Sequence, residues 1–210
     1  PVVSFTAGPL TGCDPTAVNF SDQSTGNITI WDWEFGDGNI SGIQNPSHHY
    51  GSGSYSVTLT ATTAAGCQST MTMSNYILIS PNPVAAFTAS PAITTEDNPT
   101  ITFLNQSNGA TSYMWNFGDG TGSDYTENPL YTYNENGEFL VTLWVENSAG
   151  CSDSTSIKTI VKPSYTFYLP NAFSPNGDNR NDILRPYGTG WDMDSYSMRV
   201  YSRWGELLFS

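Results

Sequence analysis

The chain of 210 residues repeats itself, and the repeat limits what it can fold into more than any other feature. Phe5-Thr6-Ala7 returns as Phe87-Thr88-Ala89, and Val18-Asn19-Phe20 with Gln23-Ser24 returns as Ile101-Thr102-Phe103 with Gln106-Ser107. Trp33-Glu34-Phe35-Gly36-Asp37-Gly38 returns as Trp115-Asn116-Phe117-Gly118-Asp119-Gly120. Asn45-Pro46 and Tyr50 match Asn128-Pro129 and Tyr133, and Ala65-Gly66-Cys67 matches Ala149-Gly150-Cys151. The offset runs only from 82 (Phe5 to Phe87) to 84 (Cys67 to Cys151), as one-residue insertions in loops would give. Two copies of a module of about 80 residues, each with its own small core, are the economical explanation.

Within each copy the periodicity is that of strands. Tyr55, Val57 and Leu59 alternate with Ser56, Thr58 and Thr60, and Phe139, Val141, Leu143 and Val145 alternate likewise. A period of two buries one face of a strand and wets the other. Gly, Pro, Asn and Asp punctuate the chain at sandwich-like intervals, and no stretch sustains a helical apolar repeat. The expected fold is therefore all-β: two small antiparallel sandwiches, residues 1–81 and 82–162, joined at Ser80-Pro81-Asn82-Pro83, with a distinct segment at 163–210.

Charge sets that last segment apart. All six basic residues lie at or beyond Lys158, so residues 1–157 carry 14 acids and no Lys or Arg, against a net charge of −13 for the whole. Such a surface repels phosphate backbones and anionic lipid, which sets nucleic-acid binding aside. Charged residues make up 12% of the chain while Ser and Thr supply 50 positions; aromatics at 13% still furnish a core. No apolar run reaches the ~20 residues of a membrane-spanning helix. With no initiator Met and no charged-then-apolar leader, an interior piece or a processed product is expected.

The combination Trp33-x-Phe35-Gly36-Asp37-Gly38, Asn45-Pro46-x-His48-x-Tyr50 and Gly53-x-Tyr55-x-Val57-x-Leu59 resembles the PKD domain, an immunoglobulin-like sandwich. The second copy matches through Trp115-x-Phe117-Gly118-Asp119-Gly120 and Asn128-Pro129-x-x-x-Tyr133, with Tyr131 in place of His48. The resemblance covers residues 1 to about 162 and implies extracellular spacer or adhesion modules, rarely catalysts. Asp37 and Asp119 read as turn carboxylates that accept backbone N–H groups. His48 and His49 point to opposite sides of a strand, so they do not suit one metal and read as packing residues. No P-loop or dinucleotide fingerprint appears.

Three cysteines give one bridge and one remainder. Cys67 and Cys151 are repeat mates, whereas the counterpart of Cys13 falls near Thr95 or Glu96. The expected disulfide is Cys13–Cys67 with Cys151 free, closing a loop worth roughly 4 kcal/mol and implying an oxidising compartment. On the outward face, Ser56 and Thr60 of the first copy become Leu140 and Trp144, a candidate patch for a partner or for the segment after Lys162. Trp31 and Trp33 are expected on opposite sides of a strand, which would leave one exposed beside Trp144 for stacking on sugars.

After Lys162-Pro163 comes Phe173-Ser174-Pro175-Asn176-Gly177-Asp178 with Asn181-Asp182, then a hairpin at Tyr201-Ser202-Arg203-Trp204-Gly205. These motifs resemble the start of the gliding-motility-associated C-terminal domain, the type B sorting domain of type IX secretion in Bacteroidota. The resemblance implies an incomplete β-rich sorting domain that addresses the chain to the translocon and its outer-membrane shuttle components. Phe173, Tyr201, Arg203 and Trp204 are its candidate packing or recognition residues, and an open hairpin edge suits strand addition. Asn176, Asp178 and Asp182 alternate as oxygen ligands of calcium would, although a polar turn without metal is the favoured reading and no other cofactor is expected. The expected whole is a non-catalytic exported region at the cell surface. The alternative is a glycan-binding accessory to a secreted polysaccharide-degrading or proteolytic enzyme.

Overall fold

A computed structural model describes residues 1–169, 177, 187–190, 197 and 199–209. Every regular element among them is a strand. The described residues pack as two compact units, one of Pro1–Thr88, Phe103–Pro129 and Val141–Ile157, the other of Ala89–Thr102, Leu130–Leu140 and those from Lys158 onward.

The first copy contains β1 (Phe5–Gly8), β2 (Thr11–Cys13), β3 (Thr16–Asp22), β4 (Ile28–Glu34), β5 (Ile40–Ser41), β6 (Ser47–Tyr50), β7 (Gly53–Thr63) and β8 (Gln68–Ser80). Strands β1-β3-β6 form one sheet and β2-β8-β7-β4-β5 the other. Alternation delivers Phe5, Val18, Phe20 and Tyr50 from the smaller sheet, and Trp33, Val57, Leu59, Ile77 and Ile79 from the larger, into one buried cluster. Phe5 meets Trp33 edge-on at 5.1 Å between ring centres, an arrangement aromatic pairs favour. Outside, the larger sheet is held by hydroxyl pairs, Thr58 with Thr72 and Thr60 with Thr70, each at 2.9 Å.

The sandwich is not wholly antiparallel, as the alternation alone suggested. Between β1 and β2 the chain crosses from one sheet to the other over two residues, Pro9 and Leu10. It thereby arrives beside β8 running in the same direction, with Thr11 opposite Leu78 and Cys13 opposite Ser80. β8 also carries a bulge: Tyr55 pairs with Ile77 but Val57 with Met73. The extra residues include Asn75, at a positive φ of 48°, and Tyr76, whose hydroxyl accepts the Ala7 N–H at 3.1 Å.

The second copy follows the same order with β9 (Phe87–Ser90), β10 (Ile93–Thr95), β11 (Thr100–Asn105), β12 (Ser112–Asn116), β13 (Ser123–Asp124), β14 (Leu130–Thr132), β15 (Gly137–Glu146) and β16 (Ser152–Lys162). Its sheets are β14-β11-β9 and β10-β16-β15-β12-β13, again with a parallel pair, β10 on β16. Trp115 is fully buried as Trp33 is. The two differ in one bond: Trp115 Nε1 donates to the Thr126 carbonyl at 2.9 Å, whereas Trp33 Nε1 finds no partner. Thr159 takes the place of Ile77 and shares a hydrogen bond with the Tyr133 hydroxyl at 3.3 Å.

Among the described residues of the tail, β17 (Thr166–Tyr168) pairs antiparallel with β18 (Tyr187–Thr189), and β19 (Val200–Tyr201) with β20 (Leu207–Phe209).

Candidate functional site

A polar cluster built by the repeat motif lies at the turn after β4. Gly36 adopts φ +86°, and a Cβ there would lie 2.3 Å from the Ser56 carbonyl oxygen, so only glycine fits. Asp37 then accepts the Asn39 N–H at 3.0 Å, the expected turn bond. The alternation did not disclose the third partner. His48 Nε2 lies 2.7 Å from Asp37 Oδ2, and its ring stacks on Phe35 at 4.3 Å between centres. Burial pushes the Asp37 carboxyl up, but hydrogen bonds from His48 and Asn39 and the His48 charge outweigh it and hold the group below the usual carboxylate range. Burial, then the Asp37 and Tyr55 charges, push the Tyr50 hydroxyl well above its ordinary value, in keeping with its role as a buried donor to the Phe35 carbonyl at 3.0 Å. In the second copy Asp119 accepts from the Thr121 N–H at 3.2 Å and its hydroxyl at 2.8 Å. In the first copy the His48–Asp37 contact ties the turn to β6, while in the second these Asp119 bonds stay within the turn.

The other motif residues are likewise engaged in architecture. Asn45 Oδ1 accepts the Asp22 N–H at 2.8 Å, and Asn128 Oδ1 accepts the Asn105 N–H at 2.9 Å. The Pro46 and Pro129 carbonyls accept from Phe20 and Phe103, both at 2.9 Å. Among the described residues, no group of three or more His, Cys, Asp and Glu is placed to hold a metal ion.

The disulfide is Cys13–Cys151, with Cα atoms 5.6 Å apart, and Cys67 is the free, exposed thiol. The expected Cys13–Cys67 bond is excluded by strand length. Cys13 pairs beside Ser80 at one end of β8, while Cys67 immediately precedes Gln68 at the other. Thirteen residues of strand separate those ends by roughly 40 Å, far beyond the reach of a disulfide. The bond instead staples the first copy to the turn before β16. Polar contacts accompany it: Asn147 Nδ2 donates to the Pro81 carbonyl at 2.9 Å, and Asn82 Nδ2 to the Asp14 carbonyl at 2.6 Å.

A shallow groove of about 460 Å³ runs beside Trp144, lined by Ser112, Tyr113, Met114, Tyr125, Glu146 and Ser152 among others. Trp144 is 38% exposed and Leu140 60%, so both expected outward positions are outward. Trp31 is different. Residues two apart share a strand face, so Trp31 lies on the same side as Trp33, packs partly against the core, and donates from Nε1 to Asp22 Oδ2 at 2.6 Å. The expectation that the two face opposite ways is corrected. Burial pushes the Asp22 carboxyl up, and hydrogen bonds from Ser24, Trp31 and Gln44 bring it below the usual range.

In the tail, the hairpin turn is closed by Ser202 N–H to the Glu206 carbonyl at 2.7 Å. Trp204 is 82% exposed with the Arg203 guanidinium 5.3 Å from its ring centre, and Tyr201 is exposed as well. The calcium candidates Asn176, Asp178 and Asp182, and Phe173, lie outside the described residues.

Residues 1–79 and 80–161 each match the model of the PKD domain, and residues 167–210 match that of the CHU_C Type IX secretion signal domain. A stretch of 51 residues is 45% identical to collagenase ColA of Bacillus cereus, covering 24% of this chain and 5% of the collagenase. The chain therefore spans a small fraction of that relative's length. Among solved structures, the PKD1 domain of Vibrio anguillarum Epp is 26% identical over 40% of this chain and 96% of its own, with a TM-score of 0.35. The PKD1 domain of the Vibrio cholerae metalloprotease PrtV is 27% identical over 39% and 98%, with a TM-score of 0.35. The secretion signal and the PKD domains indicate an exported or cell-surface protein. With both copies of the repeat matched in full, the chain belongs to the PKD-domain family, as two tandem domains followed by a type IX secretion signal domain.

Proposed function

We propose that this chain is a non-catalytic display region, in which the two PKD domains form a stapled spacer or adhesive stalk and the tail is the address read during export. The observation that carries the reading is the Cys13–Cys151 bond, which ties one domain to the next as a load-transmitting stalk requires. The motif carboxylates and His48 support it, since they hold turns together. The tail's partners on this reading are the type IX translocon and its outer-membrane shuttle components, and the wider setting is the surface of a gliding member of the Bacteroidota. Arg203 and Trp204, exposed on a tight turn, are the recognition candidates. The test is a reporter fused to residues 163 onward, extended to the natural terminus. Release from a secretion-competent cell is expected, and retention inside that cell defeats the sorting assignment.

The groove at Trp144 favours a second reading. Tyr113, Tyr125 and Trp144 line it together with the polar residues Ser112 and Glu146, the mixture of aromatic and polar groups that neutral sugars stack and hydrogen-bond on. On that reading the domains are glycan-binding accessories of a secreted enzyme, and the 51-residue likeness to a collagenase supports it. Retention of wild-type chain but not Trp144→Ser on insoluble glycans supports it; equal passage of both through the glycan column removes it.

A further inference from the structure

Cys67 occupies in the first copy the place that Cys151 occupies in the second, and Cys151 is bonded. The two turns are built alike. The Thr63 N–H donates to the Cys67 carbonyl at 3.0 Å and the Asn147 N–H to the Cys151 carbonyl at 2.9 Å; Gly66 and Gly150 stand at φ +81° and +82°. What differs is the partner. The turn cysteine of the second copy reaches back to the cysteine that ends β2 in the copy before it. The first copy's own Cys13 is already committed to that bond, and β8 keeps Cys67 far from it in any case.

We propose that Cys67 forms the same bond one step upstream, to a cysteine at the Cys13 position of a third copy of this domain N-terminal to Pro1. The cysteine usage fits this neighbour rule at both positions that end the second strand of a copy, Cys13 and Thr95. Cys13 is followed by a domain whose turn carries a cysteine, and has one to bond. Thr95, which ends β10 where Cys13 ends β2, is followed by the secretion signal instead of another PKD domain, and is not a cysteine. Cys67 is a turn cysteine, and the rule assigns it a donor in the preceding copy. The bond forms as two S–H groups lose their protons, the two Sγ atoms join, and two electrons pass to an oxidising protein disulfide, which is cleaved to a dithiol. Export supplies the compartment in which such bonds persist. The proposal goes beyond the spacer reading, which would stand if Cys67 remained a thiol.

The native exported protein, alkylated before lysis and digested without reduction, tests this by mass spectrometry. The Cys67 peptide is expected joined to one from an upstream PKD domain, its cysteine about 82 residues before Cys13 by the repeat offset. Three findings overturn the proposal: alkylated Cys67, a bond from Cys67 to a second copy of the same chain, or an upstream sequence without such a domain. A second test needs no upstream sequence. Residues 1–82 are duplicated in tandem ahead of Pro1, with Cys67→Ser in the leading copy. This variant is expected to show no reactive thiol, because the leading Cys13 captures Cys67 of the next copy. Reactive leading Cys13 and following Cys67 together would overturn the proposal.

Discussion

Asp37 holds a negative charge against partial burial because His48 and Asn39 both need it as an acceptor. Its folded pKa is depressed, so the unfolded chain takes up that proton more readily than the folded one. The contribution to stability is fully present above the unfolded carboxylate value near 4, and fades as pH falls through the lower folded value. Asp37→Asn is therefore expected to melt below the wild type at pH 7, with the difference closing toward pH 3. The gap at pH 7 should stay under about 1 kcal/mol, since water screens a carboxyl so near the surface. Paired melts at the two pH values check this. An equal gap at both would mean that the turn relies on the hydrogen-bond geometry alone and not on the charge. Asp22 and Asp124 are depressed as well, but they are present in both proteins and cancel in the comparison.

At the scale of the strand and the turn, the two glycines of the motif separate two effects. Gly36 and Gly38 both have positive φ, +86° and +91°, yet a Cβ at Gly36 meets the Ser56 carbonyl oxygen at 2.3 Å and one at Gly38 meets nothing within 4 Å. Gly38→Ala is expected to cost about 1 kcal/mol, the left-handed penalty. Gly36→Ala should exceed about 3 kcal/mol, because β4 and β7 must move apart as well. Urea midpoints for the two variants decide it, and equal losses would place the cost in the dihedral alone. This contrast also marks what the amino-acid order discloses. The alternation of Tyr55, Val57 and Leu59 marks the inward face of β7, with Val57 and Leu59 fully buried and Tyr55 partly so, and the repeated Trp and Phe mark the core, because burial leaves a local period. The bulge in β8, the parallel seat of β2 and the His48–Asp37 contact leave none, since each depends on which strand lies alongside. Trp31 was legible but misread, for residues two apart on a strand share a side.

For the whole molecule, the covalent bond bridges residues 138 apart, and the repeat hid it by suggesting that each copy is complete in itself. A module staples to its neighbour because β2 ends at the linker pole of its sandwich, while its own turn cysteine lies at the opposite end of β8. In the chain-entropy model a loop this long restrains the unfolded ensemble by about 5 kcal/mol, an upper figure because disulfides commonly deliver less than that model gives. Cys151→Ser releases that restraint and leaves the Asn147–Pro81 and Asn82–Asp14 hydrogen bonds as the local ties around the linker. Such bonds are worth about 1 kcal/mol each and exchange with water, so they cannot hold two domains against opening. Cys151→Ser is therefore expected to lower the melting temperature and to hasten proteolysis between Ser80 and Pro83, whereas Cys67→Ser leaves both unchanged in this chain. Differential scanning calorimetry with timed proteolysis checks both. If the two variants behave alike, each domain is stable without the staple and the bond's contribution is to reach and alignment alone.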